Sequence, residues 1–230
     1  MNKYVFRRKL GKFGMYAVGF LFAFITIFPL AITVMSSLKS NSDILLGMFS
    51  IPEKWLLSNY VEAVETADAL TSITTSLGIA FATLVVTIII AMPAAYILAR
   101  KQYKFVKPVY ILFMAGVMVP VHCTLTSISE MASRLGMKNS YIFLVLLYAA
   151  FNMSQAIFLF TGYISGIDSE LDEAAKIDGA SDFRIVWKIL FPISKPIIAT
   201  EAILVFIYGY SELIFSLILL TDQDKYTVSR

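Results

Sequence analysis

Charge is scarce in this chain: Lys, Arg, Asp and Glu make up 15 % of its 230 residues, while 58 % are hydrophobic. With a mean hydropathy of +0.76, too little polar surface remains to cover a soluble globule of this length, so the chain belongs in a bilayer. Cysteine and histidine are nearly absent. A single Cys123 excludes an intrachain disulfide and any Cys-based zinc or iron-sulfur site; the single His122 beside it has no obvious partner ligand, and both read as packing residues. Three catalytic patterns are missing too: the Gly-x4-Gly-Lys-Ser/Thr phosphate loop, the paired-His metal helix and the Gly-x-Ser-x-Gly nucleophile elbow. No metal or other cofactor is expected on this chain, and any ATP used must be hydrolysed by a different protein.

What is present is a series of long apolar runs. Crossing a hydrocarbon core takes about 20 apolar residues, and runs of that length lie near 15–35, 73–99, 108–128, 141–162 and 196–220. The expected fold is therefore all-α: a polytopic transmembrane helical bundle with five spans. Pro29, Pro93 and Pro120 fall inside the first three and predict kinks, serving either bundle packing or hinge motion. Polar residues interrupt the third (Thr124, Thr126, Ser127) and the fourth (Asn152, Ser154, Gln155), so those faces should meet protein or water. Gly162 and Gly166 have the spacing of a helix-packing pair.

Orientation follows from the distribution of Lys and Arg. Alternate segments, the N-terminus, the second-to-third loop and the segment 167–195, hold thirteen; the others, including Lys225 and Arg230 at the C-terminus, hold six. The N-terminus and the segment 167–195 are thus expected in the cytoplasm. The basic N-terminal run sets topology and, lacking interleaved aromatics, is not a nucleic-acid site. The first apolar run is too long for a cleaved signal peptide and has no small-x-small site after it. Residues 36–72 then form an external loop, with Ile51, Pro52, Trp55, Asn59 and Tyr60 as candidate structured contacts to lipid headgroups or a protein.

The most informative stretch is EAAKIDGASDFRIVWKILFP, residues 173–192. A charged segment in so apolar a chain must face water or another protein, which makes it a docking surface. Ser169 with Asp172 reads as a capping box, Glu170, Asp172 and Glu173 favour the helix dipole, and Gly179 is a left-handed stop. Ser181 then caps a second helix whose Phe183, Val186, Trp187 and Leu190 share one face until Pro192 and Pro196 end it. The alternative is an amphipathic hairpin lying on the membrane or on its own bundle.

This spacing, Glu173-Ala174-Ala175, three residues, Gly179, nine residues, Ile189 and then Pro192, resembles the cytoplasmic EAA loop of bacterial ABC importer permeases, with Phe191 in place of a Leu. Weaker matches follow in order along the chain: Phe28-Pro29-Leu30, Asn59-Tyr60, Ala94-Ala95-Tyr96 with Arg100, Met118-Val119-Pro120 and Tyr148-Ala149-Ala150-Phe151-Asn152. Together they resemble the smaller permease partner of maltose-type carbohydrate importers. The resemblance implies a second permease subunit, a cytosolic ABC ATPase dimer that uses the ATP, and an extracytoplasmic solute-binding protein. It also implies that Glu173, Ala174, Ala175, Asp178, Gly179, Ile189 and Pro192 dock the ATPase. The family plan has six spans, so a sixth is expected beyond the five here. The same plan also carries polyols, sugar phosphates and amino acids. Asp168, Thr161 and Tyr210-Ser211-Glu212 depart from the family's commoner Pro, basic residue and Trp-Asn-Glu.

Candidate pathway residues are Tyr208, Tyr210, Ser211 and Glu212 in the fifth run and Asn152 in the fourth. Glu201, Tyr208 and Glu212 fall within roughly 40° of one another at about 100° per residue, and a carboxylate costs about 2.5–3.5 kcal/mol near a span centre. That face should look into a cavity, where rings and carboxylates suit sugars, or into a polar seam with the partner permease. Glu201, close to the cytoplasmic end, is expected to be partly hydrated. A stand-alone secondary transporter would need its own coupling-ion site, and a membrane enzyme a convergent acid, base or nucleophile set that Glu201 and Glu212 alone do not make.

Overall fold

The computed structural model describes residues 3–47, 49–66 and 68–229, so Arg230, counted in the charge alternation, lies outside the described residues. Every regular element among them is helical. The chain divides into two compact units at Ala69/Leu70.

The first unit holds α1 (Lys3–Ser36), α2 (Asn41–Leu46) and α3 (Ser58–Thr66). Helix α1 runs through Pro29, and its apolar stretch Lys12–Ser36 has no buried share. The loop after it is built on polar bonds. Asn59 Nδ2 donates to the carbonyls of Ser37 (3.0 Å) and Lys39 (2.9 Å), and the hydroxyls of Tyr60 and Ser37 lie 2.7 Å apart. Lys39 is buried and donates to Gly47 O at 3.1 Å and Ser50 Oγ at 3.3 Å. Asn59 and Tyr60 are thus structured contacts within the loop itself, Pro52 is buried, and Ile51 and Trp55 point outward.

The second unit begins with α4 (Ala69–Arg100), which continues through Pro93, and α5 (Val106–Val117). Here the expected third span breaks. After Pro120 a 3-10 turn (Val121–Thr124) leads into α6 (Leu125–Arg134), and the chain bends by 92°. Proline has no N–H to continue the ladder, and the amides of Met118 and Val119 close tight i→i−3 turns onto Ala115 and Gly116 instead. Helix α7 (Tyr141–Ser165) starts at a Ser140 cap and is unbroken.

The fourth-to-fifth connection contains α8 (Glu170–Ile177), α9 (Asp182–Arg184), a π-helical turn (Ile185–Leu190) and α10 (Phe191–Ile193). Pro192 and Pro196 do not end helices: they occupy first-turn positions of α10 and of α11 (Lys195–Ser211), where a missing N–H costs nothing. The change of direction, 83°, falls at Ser194. The expected fifth span breaks again at Glu212 before α12 (Ile214–Leu219). Among the described residues three helices are long and apolar enough to cross a membrane, or up to five spans when each bent pair counts as one.

Two clusters form the interior. One joins Met92 and Ala95 of α4 to Ile157, Phe160 and Ile164 of α7 and to Ile185, Val186 and Leu190 of the connection. The other joins Ile79, Leu144, Leu147 and Tyr148 to Phe215 and Leu219. In lipid such packing depends on small residues that let backbones approach. The close approach is not at Gly162, which is exposed with open space around it. It is at Gly209, where a Cβ would stand 3.2 Å from Ala80 Cα, and at Gly116, where it would meet Ser154 Oγ at 2.5 Å.

Candidate functional site

In the segment 167–195, the residues divide cleanly by face. On α8, Glu170, Glu173, Ala174 and Ile177 recur at i, i+3, i+4 and i+7 and are all exposed, Ile177 at 87 %; Asp172 and Ala175 point inward and are buried. Gly179 adopts φ +78°, the left-handed stop, and its amide bonds back to Lys176. Asp178 and Gly179 are exposed at the turn, Ile189 packs partly against the interior, and Pro192 is exposed. Of the predicted docking residues, Glu173, Ala174, Asp178, Gly179 and Pro192 are thus exposed, Ile189 is half-buried and Ala175 is buried.

Two local expectations fail. Ser169 makes no capping bond; Asp168 Oδ1 accepts from the Glu170 amide at 3.1 Å instead. Asp172, the expected capping partner, turns inward because Arg100 offers it a full charge: Arg100 Nε donates to Asp172 Oδ2 at 2.8 Å, and a guanidinium Nη donates to Ile167 O at 2.8 Å. Ser181 does cap the next turn, at 3.3 Å from the Arg184 amide. The π-helical turn then adds a residue per turn and shifts the apolar face, so Ile185, Val186 and Leu190 are buried while Phe183 is 74 % exposed.

Asp182 closes a second bond to the end of α4. Tyr96 OH donates to Oδ1 at 2.9 Å, Lys101 Nζ donates to Oδ2 at 2.8 Å, and Lys176 Nζ lies 3.8 Å from Oδ1. The Lys101 bond, followed by the Tyr96 bond, holds the Asp182 carboxyl below the usual carboxylate range, and the Asp182 bond raises Lys101 above its ordinary value. Both signs keep the pair charged at neutral pH. Arg100–Asp172 and Tyr96/Lys101–Asp182 thus latch the loop to α4 on either side of Gly179, leaving the Glu173 face free. Sequence inspection missed this latch, although an Arg at the end of an apolar helix is a signal that a carboxylate is needed nearby.

The predicted pathway residues do not form one open face. Glu212 is buried, and its carboxylate ends the break before α12: Oε1 accepts from the amides of Ile214 (3.0 Å) and Phe215 (3.2 Å), and Oε2 accepts from the amides of Phe215 (3.0 Å) and Ser216 (3.4 Å) and from Tyr148 OH (2.7 Å). Tyr208 packs edge-on against Tyr148 with centroids 5.6 Å apart. Tyr210 stacks on Phe206, Ser211 Oγ donates to Ile207 O at 2.6 Å, and the buried Asn152 amide donates to Tyr148 O at 2.8 Å. Glu201 is not hydrated. It is 0 % exposed, and neither oxygen accepts a hydrogen bond. His122 is not a buried packing residue: its ring stacks on Phe215 and Nε2 lies 3.6 Å from Glu212 Oε1, with the side chain 55 % exposed. Cys123 is exposed. Among the described residues no group of three or more His, Cys, Asp or Glu is placed to hold a metal ion.

Comparison with known proteins decides the family. Residues 88–229 match the family described as binding-protein-dependent transport system inner membrane component. The chain belongs to this family. It is thus a multi-pass membrane permease subunit of a binding-protein-dependent ABC importer, a class that works with an ATPase and a solute-binding protein. It is 31 % identical over 96 % of its length, and 74 % of the relative's, to the probable ABC transporter permease protein YurM of Bacillus subtilis (strain 168). It is 31 % identical to the multiple sugar-binding transport system permease protein MsmG of Streptococcus mutans, covering 96 % of this chain and 80 % of that one. Against the diacetylchitobiose uptake system permease protein NgcG of Streptomyces coelicolor the identity is 28 %, over 94 % and 71 %. A solved bacterial ABC transporter that imports the acidic polysaccharide alginate matches with a TM-score of 0.83 at 22 % identity, over 99 % of this chain and 79 % of that one, which confirms the fold.

Proposed function

We propose that this permease carries a sugar or oligosaccharide, pairs with a second permease subunit, and has its N-terminus and EAA loop in the cytoplasm. Support for the solute class comes from relatives named for sugars, MsmG and NgcG. Support for the orientation comes from the alternation of Lys and Arg, thirteen against six. The observation that carries the coupling role is the division of α8 into a latched face and a free one.

In this reading the free face, Glu170, Glu173, Ala174 and Ile177, enters a groove on the ATPase, with Glu173 offered to a basic residue and Ile177 to an apolar one. The latched face makes the loop move as one body with α4. Closure of the ATPases on ATP then rocks the spans between inward-facing and outward-facing states, because the two permease conformations bind the open and closed ATPase dimer differently. No step needs chemistry from this chain.

Uptake of labelled maltotriose, raffinose and diacetylchitobiose, set against sorbitol and glutamate, tests the solute class in a strain deleted for the gene and complemented with it. Restoration of an oligosaccharide alone is expected. Restoration of sorbitol or glutamate alone contradicts the carbohydrate reading.

A further inference from the structure

Two breaks matter here, one at Pro120 between α5 and α6, the other at Glu212 between α11 and α12. The breaks meet. His122, on the turn after Pro120, lies with its ring 5.9 Å from Phe215 at an interplanar angle of 20°, and its Nε2 is 3.6 Å from Glu212 Oε1. Broken helices in transporters free polar groups at membrane depth, and they are tolerated where those groups are satisfied by protein or line a cavity.

The two polar members of this junction differ in what remains available. Glu212 is closed: its oxygens accept from three backbone amides and from Tyr148 OH, and the residue is buried. Beyond it, the Tyr208 ring packs edge-on against Tyr148. His122 is open, with over half of its side chain uncovered. An imidazole in that position, within a segment of span character, is too costly against lipid tails and belongs in a polar route or against a protein. Its orientation is already set. The Phe215 stack holds the ring plane, and Nε2 is the nitrogen that lies 3.6 Å from Glu212 Oε1.

We propose that His122 is a solute-recognition residue of the transport route, hydrogen-bonding through its imidazole a hydroxyl of the polyhydroxylated solute. Glu212 and Phe215 position it, and neither touches the solute. The proposal rests on the carbohydrate reading above and moves the polar contact of the route from Glu212 to His122.

A ring-for-amide exchange separates recognition from packing. His122→Phe keeps the stack on Phe215 and removes the hydrogen-bonding nitrogens; His122→Gln removes the ring and supplies an amide. The assembled transporter, purified through a tag on this chain and reconstituted in proteoliposomes with its binding protein, is assayed for ATP-driven uptake of maltotriose, raffinose and diacetylchitobiose. Copurification of the ATPase is measured alongside. Recognition predicts uptake in His122→Phe lowered by about tenfold or more and in His122→Gln held within about threefold of the parent, with ATPase copurification equal in all three. The opposite order, Phe tolerated and Gln impaired, assigns His122 to packing and overturns the proposal. Equal uptake in all three also overturns it. If the parent transporter takes up none of the three sugars, the carbohydrate reading fails first, and the proposal falls with it.

Discussion

The two polar regions of the bundle are built in opposite ways. At the EAA loop, charges from distant segments meet in pairs: Arg100 with Asp172 and Lys101 with Asp182, 72 and 81 residues apart in the chain. At the junction around Glu212, one carboxylate is satisfied almost locally, by the amides of the two to four residues that follow it, and a single tyrosine closes it from α7. The first arrangement joins elements so that they move together. The second lets a helix break without leaving backbone groups bare in the membrane. The difference gives the loop end long-range ties to α4 and the other end a locally satisfied bend.

The largest effect is expected at the latch. Arg100→Ala leaves the Asp172 carboxylate buried with no counter-charge, and truncating one partner of a buried pair costs about 3–5 kcal/mol. The variant should show a lowered midpoint in detergent and loss of solute-stimulated ATP hydrolysis; Asp172→Asn, which removes the charge with it, should be milder. Equal behaviour of Arg100→Ala and the parent in a thermal unfolding assay contradicts the latch.

Glu212→Ala comes next. It strips the acceptors from the α12 amides and from Tyr148 OH, for which about 2–3 kcal/mol is the scale of a charged hydrogen-bond acceptor lost from a buried site. A reduced level in the membrane and a lower unfolding midpoint are expected, with Glu212→Gln in between. Normal stability with selectively lost uptake would return Glu212 to the list of solute contacts and blur the contrast between the two regions.

What could be read in the sequence follows the range of the interactions. Gly179 and the Ser181 cap were legible because a left-handed stop and an N-cap are made by neighbouring residues. The exposure of Glu170, Glu173 and Ile177 was legible as a charged segment in an apolar chain. Asp172 was misread because its local role, a capping partner for Ser169, lost to a charge 72 residues away. Phe183 was misplaced because the π-helical turn shifts the 3.6-residue period that a pattern search assumes. The break at Pro120 was marked by residue type, while the one at Glu212 falls inside an expected continuous span; the bend at Pro120 exceeds a kink because the turn spends four residues in 3-10 geometry. His122 was passed over because its partners, Glu212 and Phe215, come from a span some 90 residues on.

Glu201→Gln should have the smallest effect, and its sign sharpens the comparison. The Glu201 carboxyl sits inside α11 with no hydrogen bond to either oxygen, unlike every carboxylate at the latch or the junction. An isosteric amide removes the cost of a possible buried charge and keeps the shape, so an unchanged or raised unfolding midpoint is expected, with unchanged uptake. A clear loss of uptake at normal stability would give this carboxylate a working role.

The division of α8 into a free and a latched face is tested most directly by photo-crosslinking in membranes. A photoreactive residue is placed singly at Glu173, Ile177 or Ala175, and capture of the ATPase subunit is read on a gel. Strong capture from positions 173 and 177 and little from 175 is predicted, since Ile177 is 87 % exposed and Ala175 is buried under the latch. Capture from 175 equal to that from 177, or no capture from 173 and 177, would contradict the account.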